Sequence, residues 1–236
     1  MRKFLTVFAI FFLGLGTAFA GDRADDVGRL DESAKILSEI MNAGDSGIPE
    51  EIIGSAKCVA VVPSMLNGAF IFGANYGKGV TSCRTEKGWS APAFFSIKGG
   101  SFGFQIGGQA VDLIILAMND RGMDHMLKSK FKMGADASVA AGPVGRHADA
   151  STDWKMRAEM LTYSRSRGVF AGISLNGAVI SQHQNDTRDY YGRMVPFQTI
   201  LTGNIEPPKD AEAWRAALKK YGGSGVEKSD NKTASK

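Results

Sequence analysis

Beginning at Lys57 the chain alternates large apolar residues with glycine. A strand with glycine on one face belongs to a sheet that bends sharply or is closely approached by another backbone or a ligand. Phe70, Phe72, Ala74 and Tyr76 alternate with Ile71, Gly73 and Asn75, and Phe102, Phe104 and Ile106 alternate with Gly103, Gln105 and Gly107. Val169, Ala171, Ile173 and Leu175 repeat the pattern, and Asn176-Gly177 then predicts a tight hairpin with two positive backbone angles before Ala178-Val179-Ile180. Short turns between successive strands predict an antiparallel sheet curled into a sandwich or partial barrel. An outer-membrane barrel is disfavoured because the strands are few and irregular, and Asp112 to Lys132 reads as a strand running into a helix.

Helical periods flank this β-rich stretch. Val27, Leu30, Ala34, Leu37 and Met41 recur every three or four residues, with Asp25, Asp26, Arg29, Glu32, Lys35 and Glu39 on other faces. The polar face is mixed in sign, which favours packing on the core over lying on a membrane. A short second helix is predicted to start at Pro49, where a missing amide proton costs nothing. Near the end, Pro208 to Tyr221 places Trp214, Leu218 and Tyr221 on one docking face. The fold class is therefore α+β: a β-rich single domain whose curled antiparallel sheet is flanked by an N-terminal amphipathic helix and C-terminal helices.

The first twenty residues read as a signal peptide. Arg2 and Lys3 precede an apolar run from Phe4 to Leu15, and Ala18-Phe19-Ala20 supplies small residues for cleavage after Ala20. The run is short of the ~20 residues of a membrane-spanning helix. No cysteine follows it for lipid attachment. The expected organisation is a leader over 1–20, one domain over 21–221 and a small, polar, disordered tail over 222–236, in an exported protein that is periplasmic, extracellular or peripheral on a membrane. Losing Arg2 and Lys3 halves the formal net charge of +4, which disfavours bulk nucleic-acid binding. Export would place Cys58 and Cys83 in an oxidising compartment, and both sit in strand-like surroundings. They form either a disulfide or two buried thiols.

Catalytic motifs fail on context. Gly99-Gly100-Ser101-Phe102-Gly103 matches a nucleophile elbow in letters, yet an alternating strand follows where a helix is required, so a serine hydrolase is only a distant alternative. Gly77-Lys78-Gly79 lacks the spacing of a phosphate loop and reads as a turn. His125, His147 and His183 lie far apart without acidic or cysteine neighbours at ligand spacing, so neither a metal nor a cofactor is expected.

Several blocks together resemble a family. Ile48-Pro49, Val61-Val62, Gly77-Lys78-Gly79-Val80, Trp89-Ser90-Ala91-Pro92, Gly107-Gly108, Ala141-Gly142-Pro143-Val144-Gly145-Arg146, and the run from Tyr163 to Gly172 look, in that order, like the SYLF domain, also described as the actin-regulator Las17-binding domain. The resemblance covers about Leu30 to Leu218 and departs at Cys58, where the family commonly has glycine. It implies a non-enzymatic, lipid-binding module whose relatives recognise phosphoinositides and, in some cases, actin. Actin fits an exported protein poorly, which leaves an anionic phospholipid or membrane surface as the expected partner, with an envelope protein partner as the alternative.

The residues themselves suggest where such a partner would bind. In an extended strand Tyr163, Arg165 and Arg167 share a face, two guanidinium groups that can grip a phosphate beside a ring at the interface. Arg146 projects from a rigid Gly-Pro-Val-Gly turn. Lys128, Lys130 and Lys132 are interleaved with Leu127, Phe131 and Met133, and Lys78 and Lys98 complete the candidate set. A solvated surface charge or an internal ion pair is the competing reading for each.

Overall fold

The computed structural model describes residues 18–70, 72–101, 109–145, 158–166, 169–173 and 175–225. Helix α1 (Ala18–Met41), a 3-10 turn (Gly44–Ser46) and α2 (Glu50–Ser55) lead into strands β1 (Cys58–Phe70), β2 (Phe72–Thr85), β3 (Gly88–Trp89), β4 (Ala93–Ser101) and β5 (Gln109–Ala117). There follow α3 (Asp120–Leu127), β6 (Lys130–Lys132), β7 (Val139–Ala141), β8 (Met160–Ser166), β9 (Val169–Gly172) and β10 (Val179–Gln182). The chain closes with α4 (Gln184–Tyr191), α5 (Phe197–Leu201), a second 3-10 turn (Lys209–Ala211) and α6 (Glu212–Gly222). The apolar leader up to residue 17, the Phe102 to Ile106 alternation, Arg146, Arg167 and the tail after residue 225 lie outside the described residues.

The strands make a strongly curled half-barrel in the order β6-β10-β4-β2-β1-β5-β8-β7, with β3 added to β2 and β9 to β8. All pairings are antiparallel except β7 with β8, which run parallel because the chain returns to β8 by a long connection. Period-two alternation sorts the side chains into two cores. Val62, Phe95, Ile97, Leu113, Ile115 and Phe131 fill the inner face, closed by α3 and α5. Val59, Val61, Val80, Phe94, Ile114 and Tyr163 lie on the outer face beneath α1, α2, α4 and α6. The curl needs glycine on the inner face of β2: a Cβ on Gly77 would lie 2.5 Å from Val62 Cγ1, and one on Gly79 would lie 2.7 Å from the Phe95 ring. Cys58 and Cys83 are direct register partners on β1 and β2 and are joined as a disulfide within the inner core.

The local expectations meet three corrections. The α1 stripe is wider than Leu30, Ala34 and Leu37, since Ile36, Ile40 and even Asp26 are buried by α4 and α6. Asn176-Gly177 is a turn closed by Ala178 N donating to the Leu175 carbonyl, but only Gly177 has a positive φ, of 88°. It joins no hairpin: β9 pairs with β8, whereas β10 pairs with β4 and β6 at the other side of the sheet. Finally, residues 222–225 are held rather than loose. Gly222, Gly223 and Gly225 offer carbonyls to Arg84, Trp89 Nε1 and Thr85 N, and a Cβ on Gly225 would collide with Trp89.

Candidate functional site

Strand register arranges the outer face in three rows, because residues directly opposite each other across a ladder point to the same side. The first row, Phe94–Val80–Val61–Ile114–Tyr163, is apolar and fully covered by helices. The second is a polar belt: Lys130–Ser181–Ser96–Lys78, then a bulge in β1, then Asp112–Arg165. The third, Lys132–Val179–Lys98–Tyr76–Leu66–Ala110, lies beyond the helices and is open to solvent. Leu66 is 61% exposed and Tyr76 38%, the two largest apolar side chains on that row.

The bulge decides where the cover ends. Register slips between Val61 and Leu66, and Ser64 within it has a positive φ of 49°, a strained angle for a residue with a Cβ. Ser64 N donates to Asp112 Oδ1 at 2.9 Å, and Asp112 Oδ2 receives Arg165 Nε at 2.7 Å. Arg165 also pairs with Glu39 of α1, so its guanidinium is engaged by two carboxylates from different elements. Burial pushes the Asp112 carboxyl above the usual range.

Two members of the predicted arginine face are thereby repositioned. Tyr163 is fully buried under α1, with its ring against Gly142, and burial pushes its phenol well above the usual value. It does not sit at an interface. Arg165 shares its face, as strand alternation requires, but serves as a strut between β8, β5 and α1. The Gly142-Pro143-Val144-Gly145 block is a brace: Gly142 makes room for the Tyr163 ring, and Gly145, at a φ of 96°, donates its N–H to the Gly47 carbonyl.

The lysines fare differently. Lys98 on β4 and Lys130 and Lys132 on β6, the strands either side of β10, are exposed on the outer face, with Phe131, Ile180 and Ile97 buried on the opposite side. Among the described residues no carboxylate pairs with any of these three ammonium groups. Lys98 Nζ stands 5.6 Å from the centre of the Tyr76 ring. Lys128, also exposed, points to His125 Nδ1 at 3.3 Å. Lys78 belongs to the belt and donates to Asp186 Oδ1 at 3.0 Å.

Nothing in the local sequence marked Arg84. It is buried on β2 above Trp89, its guanidinium 4.7 Å from the ring, and it donates to the Ala56, Gly54 and Gly222 carbonyls at 2.6, 2.8 and 2.5 Å. Those carbonyls end α2 and α6, so one cation satisfies two helix C-termini at once. Burial lowers its proton affinity from that of a free guanidinium.

Among the described residues there is no group of three or more metal-ligating side chains, and no helix is long and apolar enough to cross a membrane. Residues 98–221 match the family model described as Ysc84: Las17-binding protein actin regulator.

The chain belongs to the Ysc84 family.

Known Ysc84 relatives extend the match. The SH3 domain-containing YSC84-like protein 1 of Rattus norvegicus is 35% identical over 188 residues, which cover 77% of this chain and 55% of that protein. Its Homo sapiens counterpart is 34% identical over the same shares. LAS seventeen-binding protein 3 of Saccharomyces cerevisiae is 32% identical over 186 residues, 75% of this chain and 40% of that protein. The chain thus spans about half the length of the curated relatives it matches. The family match includes Lys98 and strands β6 and β10.

Proposed function

We propose that this protein is a non-enzymatic binding module that docks on anionic phospholipid through the open outer row of its sheet. Lys98, Lys130 and Lys132 meet the phosphates, Lys128 adds charge at the rim, and Tyr76 with Leu66 settles into the headgroup boundary. The observation that carries this reading is the strand register, which gathers lysines without a carboxylate partner among the described residues beside the exposed Leu66–Tyr76 pair. Basic groups next to an amphipathic ring suit an interface that is charged outside and apolar within. The signal-like leader and the Cys58–Cys83 disulfide support an exported protein acting in an oxidising compartment.

Co-sedimentation of the full chain with vesicles of mixed phosphatidylcholine and phosphatidylserine tests the site. At ~1 kcal/mol per lysine near an anionic surface, Lys98→Gln, Lys130→Gln and Lys132→Gln together are expected to weaken binding about a hundredfold at low salt. Unchanged binding by the triple variant refutes this surface.

The names of the relatives favour a second reading, a protein partner. The yeast relative is a Las17-binding protein and the animal relatives carry SH3 domains by name. A specific partner retained from delipidated envelope extract, and lost in the lysine triple variant, would make the same row a protein interface.

A further inference from the structure

Beneath the belt, where α1 crosses α4 and β2, lies a charge cluster that the open row does not use. Arg29 Nη1 donates to Asp26 Oδ1 at 2.8 Å and to Asp186 Oδ2 at 2.9 Å, so one guanidinium nitrogen bridges two carboxyl groups. Asp186 is matched by a further donor, Lys78 Nζ at 3.0 Å, and His183 Nδ1, which accepts from Asp186 N, stands 2.9 Å from the same oxygen. Asp26 is not. It is 1% exposed, and its Oδ2 is buried without a hydrogen-bond donor among the described residues. The nearby Tyr190 hydroxyl is also buried and unmatched. On the outer side, Arg23 donates to the Tyr190 carbonyl and to Asp210 Oδ2, closing the cluster toward the second 3-10 turn.

An ionised carboxylate in this position carries a buried oxygen with no donor, beside a second carboxylate whose compensating cations are already shared. A neutral carboxylic acid does not face that cost. We infer that Asp26 is a proton-dependent latch: protonated, it fixes the N-terminal turns of α1 on α4 and β2, and ionised, it favours their opening so that its free oxygen is hydrated. The charged and titratable groups facing it are Arg29 on its own helix, Asp186 and Tyr190 on α4, Lys78 on β2 and His183 at the α4 N-terminus, with Arg23 and Asp210 beyond. Burial first and Asp186 second raise the Asp26 carboxyl to about 7, against opposing pulls from Arg29 and Lys78. The latch therefore holds in acid and loosens as the solution passes through neutrality.

The experiment uses the full chain in two measurements. In 13C NMR the Asp26 carboxyl carbon is expected to titrate with a midpoint near 7. A midpoint below about 5, close to the ordinary carboxyl range, overturns the proposal. In hydrogen exchange, after correction for intrinsic rates, the amides of residues 24–30 are expected to lose about tenfold in protection between roughly pH 6 and pH 8, and Asp26→Asn, a neutral isostere, is expected to abolish that loss. A flat wild-type profile, or the same loss in Asp26→Asn, also refutes it. If the variant does not fold, the wild-type titration alone decides.

Discussion

The two ends of the outer sheet face are built from the same strands and differ in almost everything else. Following β2 along that face, Arg84, Ser82 and Val80 lie under helices, Lys78 stands at the boundary, and Tyr76 is in the open. Under the helices the polar side chains of β2 are committed: Arg84 holds three carbonyls and Ser82 Oγ accepts the Trp214 indole N–H at 3.0 Å. In the open row Lys98 and Lys132 have no carboxylate among the described residues. A cation near helix ends becomes part of the frame, whereas a cation with no cover is left for a partner. Stability rests on one end, and the proposed recognition surface is the other.

The largest test of that division is Arg84→Met. It strands three carbonyls, two of them buried, and a loss of about 3 to 5 kcal/mol in urea unfolding is expected. A loss under about 1 kcal/mol would break the picture of a committed end. Trp214→Ala comes next, because it empties a fully buried site and removes the donor to Ser82; about 3 kcal/mol or more is expected from thermal or urea unfolding. In both variants vesicle binding measured where the protein is still folded should be unchanged.

A pH test sharpens the boundary. The Asp26 carboxyl binds its proton more tightly in the folded chain, at about 7 against an ordinary 3.8, so its stabilising effect is complete below the lower value and is lost as pH rises to the upper one. His183 acts in the opposite sense. Burial lowers its proton affinity, so its contribution is present above the ordinary histidine value of 6.5 and lost as pH falls. The two overlap in the wild type, and the difference between Asp26→Asn and wild type separates them. That difference in unfolding free energy is expected to grow in favour of the variant from about pH 4 to about pH 7 and to stay constant above.

The smallest expected effect on stability belongs to the open row and to Lys130 at the exposed end of the belt. Lys98→Gln, Lys130→Gln, Lys132→Gln and Leu66→Ser should each change unfolding by within ~0.5 kcal/mol, since none loses a buried partner. Their effect should appear in vesicle binding alone. A large destabilisation by any of them would place it in the frame rather than in the site.

Much of the fold was legible because it depends on local periods. The two-residue alternation marked the strands and the three-to-four spacing of Leu30, Ala34 and Leu37 marked α1, whereas Lys130 to Lys132, read as the end of a helix, is strand β6, the helix having ended at Leu127. The site was only half legible. Lys98 and Arg165 look alike in sequence, each a cation in an alternating strand, yet Arg165 meets Glu39 of α1 and Lys98 meets the Tyr76 ring and no carboxylate among the described residues. Arg84 gave no signal at all, because its acceptors lie at Gly54, Ala56 and Gly222, far away in the chain. Asn176-Gly177 announced a turn correctly, but a turn motif does not name the strands that will pair on either side of it.

The sequence by itself determined the β-rich class, the first and last helices, the family, and the alternation of faces along the strands. These follow from backbone geometry repeated every few residues, and from glycines where a Cβ has no room. Tertiary structure alone decided which charges are struts and which are free, because that depends on where α1 and α4 end over the sheet and on register between strands many residues apart. The same amino acid is worth a buried contact under the helices and a surface charge one row beyond them, since the difference lies in solvation, which no single segment controls.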